Sequence, residues 1–217
     1  MGVMIGLPCG GGNINEQTTV GLFNLAKAFV RNDIPHGLLT LSNSSLITQA
    51  RSRVANFFIN NTDFEYLFFL DSDIGFKADD VLKLLSYKAD IVSAAYPMKI
   101  IPERYCVDVV QPERKVGDLL QISGNGMGFV FIHRKVFYDI AKAYPGLKYT
   151  PSDYHSEVPH TEAEMNNSYH YFAEHPCRNG FMSEDKSFFH RAKQVGYNIW
   201  LDTSIKLKHT GYHIYQG

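Results

Sequence analysis

The sequence predicts an α/β fold: one domain with a mostly parallel central sheet flanked by helices, and a mixed C-terminal half. Three observations predict it. Short apolar runs alternate with amphipathic segments through the first hundred residues, as right-handed β–α–β crossovers require. After residue 100 that rhythm breaks and strand-like runs follow one another. Finally, 217 residues with 45 % hydrophobic and 20 % charged side chains can bury one sizeable core without staples.

Each element has its own signal. Residues 2–7, GVMIGL, read as a buried strand, and the loop PCGGGN follows. Residues 15–31 carry Val20, Phe23, Leu25, Ala28 and Phe29 at helical spacing. PHGLLTLS (35–42) is a second strand. Residues 45–60 form a helix with Leu46, Ile47, Ala50, Val54, Phe57 and Phe58 on one side. YLFFLD (66–71) is the third strand. Residues 77–88 form a helix whose first turn is acidic, where the macrodipole favours negative charge, and 90–97 a fourth strand. RYCVDVVQ and DLLQISGNGMGFVFIHR read as strands near a glycine-rich bend, and KVFYDIAKAY (135–144) as a helix. Residues 146–182 are polar and aromatic without periodicity, a long loop holding His155, His160, His170 and His175. Residues 183–196 form a helix with Ser183 as N-cap and Gly196 as its stop, and NIWLDTSIKLKHTG closes as short strands.

Charge and composition exclude several roles. The formal net charge is −1 and the basic residues are scattered, so no nucleic-acid or membrane partner is expected. Cys9, Cys106 and Cys177 are odd in number and far apart, which suits a reducing compartment better than a disulfide framework. The apolar N-terminus lacks a basic region and reads as a strand rather than a signal peptide. No run approaches the ~18 apolar residues of a transmembrane segment. A cytoplasmic location is expected.

The motif that carries chemistry is DSD (71–73), at the end of the third strand. Ligands of open parallel sheets sit at the carboxyl ends of strands. Side chains two apart in an extended segment point the same way. Two carboxylates so placed repel unless a cation lies between them, and a hard cation such as Mg²⁺ or Mn²⁺ would keep positions open for diphosphate oxygens. The same residues also suit a simple turn that starts the next helix, and spacing alone leaves both readings open.

The context EYLFFLDSDIGFKADDVLKLL, then ADIVSAAYPMK, resembles the GT-A class of nucleotide-sugar-dependent glycosyltransferases. So do ITQARSRVANFF upstream and GNGMGFVFIHRKVF and SEDKSFFHRAKQVGYNIWLDTSIKLKHTG downstream, in the family's order; residues 147–180 match least. Within that class the chain looks most like the glycosyltransferase domain of large chlorella viruses. The resemblance implies a single GT-A (Rossmann-like) domain over 1–217, with a nucleotide-binding half (1–100) and an acceptor- and sugar-binding half (101–217).

It also implies roles. Asp73 would hold the metal, Asp71 would contact metal or ribose, and His209 in LKHTG would complete the shell; Mn²⁺ suits an imidazole somewhat better than Mg²⁺. His209 reads equally as a rim histidine. Pro8, Cys9 and Gly10 would seat the base and ribose of a UDP-sugar, or form only a flexible βα loop. Arg51 would reach the diphosphate, with Arg53 as a weaker substitute, or face solvent. Ser72 sits between the paired aspartates, on the nucleotide side. Gly124, Asn125 and Gly126 would line the sugar, or mark tight packing or a bulge. Asp185, with Glu184 beside it, would be the general base of an inverting reaction; in a retaining one either would stabilise the far face or position the acceptor, and the pair also suits simple helix capping. Residues 149–175 would form an acceptor-side lid rather than a metal cluster.

The activity implied is metal-dependent transfer of a hexose-type sugar from a UDP-sugar to a hydroxyl of a glycan or glycoprotein. The alternatives are a non-catalytic carbohydrate- or nucleotide-sugar-binding module and a sugar-phosphate nucleotidyltransferase. The latter should carry a basic glycine-rich signature near the N-terminus, and PCGGGNINEQ has no lysine or arginine. A monomer is compatible with this reading, as is a place within a longer polypeptide.

Overall fold

The computed structural model describes residues 2–152, 159–178 and 180–211. In chain order, β1 (Val3–Cys9), α1 (Glu16–Arg31), β2 (His36–Ser42), α2 (Ile47–Asn61), β3 (Tyr66–Leu70), β4 (Ile74–Gly75), α3 (Ala78–Ser86) and β5 (Ile91–Ala94) make the first half. β6 (Val107–Val109), β7 (Lys115–Val116), β8 (Leu119–Asn125), β9 (Phe129–His133) and α4 (Arg134–Ala143) follow. Then come β10 (Lys148–Tyr149), α5 (Glu162–Asn166), β11 (Ser168–Tyr169), β12 (His175–Cys177), β13 (Gly180–Met182), α6 (Glu184–Gln194), β14 (Ile199–Asp202) and β15 (Lys208–His209).

The nine-stranded central sheet runs β2-β1-β3-β9-β5-β14-β8-β6, with β7 on β8. Parallel pairing joins β1 to β2 and β3, and β5 to β14. The expected mostly parallel sheet needs one correction. β9 enters antiparallel between β3 and β5, and β8 lies antiparallel to β14, β6 and β7. The sheet is therefore mixed through its centre as well as at one end. β8 and β9, consecutive in sequence, run in the same direction with β5 and β14 between them, so Gly126–Gly128 carry the chain across rather than closing a hairpin.

The pleat of β3 explains how the sheet is covered. Leu67 and Phe69 face the cluster shared with α2, α4 and α6, while Phe68 and Leu70 face the cluster with Leu25 and Phe29 of α1 and Val81 and Leu84 of α3. Both faces are apolar, so the strand reads as a continuous hydrophobic run.

Two helical faces differ from expectation. Val20 (53 % exposed) and Phe23 (66 %) point outward, and α1 buries Thr18, Gly21, Leu25 and Phe29 instead. On α2, Leu46 and Ile47 are exposed, while Ala50, Arg51, Ser52, Val54, Ala55, Asn56, Phe58 and Ile59 are buried. Helix α2 is buried on more than one side, which a single-face pattern misses.

Residues 146–182 are not a structureless loop. They hold β10–β11 pairing, α5 with a capping box between Thr161 and Glu164, and the β12–β13 pair. Tyr171 and Phe172 are buried against Phe137 and Phe188. Elements of two to five residues are too short to show a period. His155 lies outside the described residues.

Candidate active site

The rim of the sheet at the end of β3 is built by its neighbours. The Asp71 N–H donates to the Gly128 carbonyl (3.0 Å), and the Asn15 N–H at the start of α1 donates to the Ser72 carbonyl (2.8 Å). β4 turns back to pair with β15, setting His209 opposite Ile74, and the Thr210 N–H donates to the Asp73 carbonyl (2.9 Å). Two segments well over a hundred residues apart thus meet at one bridge.

That bridge fixes the His209 ring. Its Nδ1 lies 2.8 Å from the Pro97 carbonyl, which can only accept, so Nδ1 carries the proton. Nε2 then faces Asp73 Oδ1 at 3.4 Å. A carboxylate oxygen and an imidazole nitrogen so oriented are donors that suit a divalent cation. The Lys99 ammonium stands 2.5 Å from the other oxygen, Asp73 Oδ2. Asp71 turns elsewhere: Arg51 Nη2 lies 3.1 and 3.3 Å from its two oxygens. Among the described residues no three His, Cys, Asp or Glu side chains form a complete ligand group. The structure thus brings Asp73 and His209 together and leaves Asp71 with Arg51.

Arg51 also bonds Glu184 Oε1 through Nη1 at 2.5 Å, which draws the first turn of α6 to the same rim. Burial opposes the Arg51 charge, but Asp71 and Glu184 outweigh it and raise the guanidinium pKa. Asp185, next along, accepts from the Ser183 hydroxyl and the Lys186 N–H. Tyr96 lies behind. Its hydroxyl accepts from the Gly128 N–H (3.1 Å), and burial together with the Asp71 charge pushes its pKa up.

The glycines have a close-packing role. A Cβ at Gly126 would stand 2.3 Å from the Tyr96 hydroxyl, and one at Gly128 would stand 2.4 Å from Asp71 Oδ2. The space expected for a sugar beside Gly126 is thus filled by Tyr96, and Gly124 lies against Phe189. Asn125 is buried and donates to the Ser93 hydroxyl (3.2 Å), beneath the rim rather than on it. Pro8 and Cys9 belong to β1 rather than to the loop; Pro8 lies past the last β1 residue paired with β3, so its missing N–H costs no ladder bond there. The turn itself is Gly10–Gly12, with the Gly12 N–H on the Cys9 carbonyl (2.8 Å).

No protein-family model and no curated protein matches the chain. Solved structures do. The viral protein A197 from STIV matches over 98 % of this chain and 87 % of its own, with a TM-score of 0.56 and 20 % identity. GalNAc-T7, solved with UDP, GalNAc and Mn²⁺, matches over 96 % of this chain and 44 % of its own, with a TM-score of 0.52 and 11 % identity. The fold is GT-A-like. These likenesses do not single out the chlorella-virus domains.

On this GT-A-like fold the carboxyl ends of β1, β2 and β3 share one edge. A cavity of about 690 Å³ opens beside the end of β2, lined among others by Ser42, Ser44, Gln49, Arg53, Tyr149 and His170. Tyr149 and His170 stack there with ring centroids 3.8 Å apart. Among the described residues no helix is long and apolar enough to cross a membrane. Lys99 and Tyr96 were not legible beforehand as site residues. Each acquires its role from a partner distant in sequence, and a lone Lys or Tyr in a loop carries no spacing signal.

Proposed function

We propose that the chain is a metal-dependent glycosyltransferase that moves a hexose-type sugar from a UDP-sugar to an acceptor hydroxyl on a glycan or glycoprotein. The observation that carries this is the meeting, at one sheet rim, of the Asp73–His209 pair with the acidic first turn of α6. The GT-A-like fold and the UDP, GalNAc and Mn²⁺ of one structural neighbour support it.

Asp73 and His209 would hold Mn²⁺ or Mg²⁺, which when bound neutralises charge on the departing diphosphate. The nucleoside would lie along the edge toward β1 and β2. Asp185 would take the proton of the acceptor hydroxyl as that oxygen attacks the anomeric carbon. The bond from that carbon to the phosphate oxygen breaks, and UDP leaves with the electron pair. This base role belongs to an inverting reaction; in a retaining one, Asp185 or Glu184 would instead stabilise the far face or position the acceptor. Partners would be a nucleotide sugar and a glycan, met in the cytoplasm.

The test is UDP release from a panel of UDP-sugars. Release should require Mn²⁺ or Mg²⁺, stop with a chelator, and be lost in Asp73→Ala. Unchanged metal-free UDP-sugar binding and turnover in Asp73→Ala would overturn the mechanism.

A further inference from the structure

The resemblance assigns Arg51 to the donor diphosphate, but its side chain has no face left for one. Arg51 is 5 % exposed. Nη1 is taken by Glu184 and Nη2 by both oxygens of Asp71. Its Nε is buried without a hydrogen-bond partner among the described residues, so it too is closed to a ligand. A diphosphate recognised by arginine needs a free fork of N–H donors. Freeing that fork would leave two half-buried carboxylates, 24 % and 18 % exposed, close together without their shared cation, and like charges so placed disfavour one another.

The contacts join three parts of the chain. Arg51 is on α2, Asp71 follows β3, and Glu184 opens α6. Asp71 is held in turn by the Gly128 carbonyl through its own N–H. We propose that Arg51 is a positioning residue. It is a strut that pins the first turn of α6 to the end of β3, with Glu184 as the far foot. Glu184 is therefore spent on the strut, and Asp185 alone is presented to the acceptor. This last step rests on the glycosyltransferase reading; the strut does not. Because Asp71 lies two residues from Asp73, the same strut holds the acceptor base in fixed relation to the donor's metal end.

Two measurements test it. The first is hydrogen exchange of the amides at 187–190 in Glu184→Gln, in Arg51→Lys, and in the double variant Arg51→Met with Glu184→Met, which removes the charges together. Exchange there should rise about tenfold in both single variants, because the end of α6 opens locally. It should rise less in the double variant, where apolar packing replaces the pair. Exchange equal to wild type in both single variants overturns the strut.

The second separates kcat from donor affinity. Glu184→Gln and Arg51→Lys should lower kcat about 100-fold, as a small misplacement of a catalytic group does. The UDP Kd in Mn²⁺ should stay within about twofold. An Arg51→Lys variant that keeps kcat while UDP binding weakens about tenfold makes Arg51 a diphosphate ligand, as loss of a charge-assisted fork would, and overturns the proposal. So does an Asp185→Asn variant that stays active while Glu184→Gln is dead. A wild-type chain that releases no UDP from any donor sinks the glycosyltransferase reading and the role of Asp185 with it, while hydrogen exchange still decides the strut.

Discussion

Lys99 decides what a divalent cation meets at Asp73. Its ammonium occupies one carboxylate oxygen, so a metal bound there as proposed would have to displace an internal cation. The pair is half open to solvent, with Lys99 44 % exposed, and such pairs contribute at most about 1 kcal/mol. Lys99→Met should therefore tighten Mn²⁺ binding by up to about fivefold at low salt, and less at high salt. Titration calorimetry with Mn²⁺ alone reads this; weaker binding in the variant would instead give Lys99 a supporting role. Gly128 makes the opposite case. Gly128→Ala puts a methyl group 2.4 Å from Asp71 Oδ2 and 2.9 Å from the Tyr96 hydroxyl, so the Asp71 carboxylate, which Arg51 holds, must shift. UDP release should fall at least about tenfold through the displaced carboxylate, with Mn²⁺ binding at Asp73 changed less. At this scale Asp71, Asp73, His209 and the acidic pair of α6 stood out as candidates because motif order gave each a context, and the structure brings them to one rim. The partner of Arg51 did not, since no spacing relates position 51 to 184.

Elements depend on partners that the sequence hides in the same way. α2 ends without a glycine, and Arg134 at the start of α4 takes over its C-terminus. Its guanidinium donates to the carbonyls of Phe58 (3.0 Å), Ile59 (3.1 Å), Thr62 (2.5 Å) and Phe64 (2.8 Å) while lying over the Phe58 ring. A cation on orphan carbonyls also suits the negative end of the helix. Arg134→Met should cost about 2–3 kcal/mol, the scale of losing charged hydrogen bonds, read as a lowered urea midpoint with unchanged slope. Asn56, on the same helix, does for β11 what a strand neighbour would. Its Oδ1 accepts from the Tyr169 N–H (3.0 Å) and its Nδ2 donates to the Tyr169 carbonyl (3.1 Å). The long helices were legible because amphipathic periods survive in one dimension, while α5, at five residues, was not. Which helix face is buried was not, where polar side chains such as Arg51 and Asn56 go inward to satisfy other parts of the chain.

Across the whole molecule, alternation of strand and helix made the first half readable, because each crossover is short and handed. The entry of β9 between β3 and β5 was not readable. Strand order is set by which strands meet in space, and FVFIH, apolar on both faces, would suit any interior place in the sheet. The far side is tied by Asp202, whose carboxylate accepts from Tyr87 (2.8 Å) and Ser204 (2.8 and 2.6 Å) and pairs with Lys83 (3.0 Å). Burial works against its charge, but the bonds from Ser204, Tyr87 and Lys83 outweigh it and hold the pKa below the usual carboxylate range. A depressed folded-state pKa contributes stability that is complete above the unfolded value, about pH 4, and is lost as pH falls through the folded one. Asp202→Asn should therefore be less stable than wild type at neutral pH, with the gap closing below about pH 4 in urea titrations across pH.

One consequence follows from the two-residue ladder between β4 and β15. A nine-stranded sheet is bound by many ladders, whereas a ladder of two residues can fray alone, and free energies of local opening sit far below that of global unfolding. His209 would leave Asp73 with the fold intact. Warming the protein should thus act in two stages, read from the His209 ring signals and from circular dichroism: first a reversible loss of the Asp73–His209 contact, and with it any cation held there, then the collapse of the scaffold.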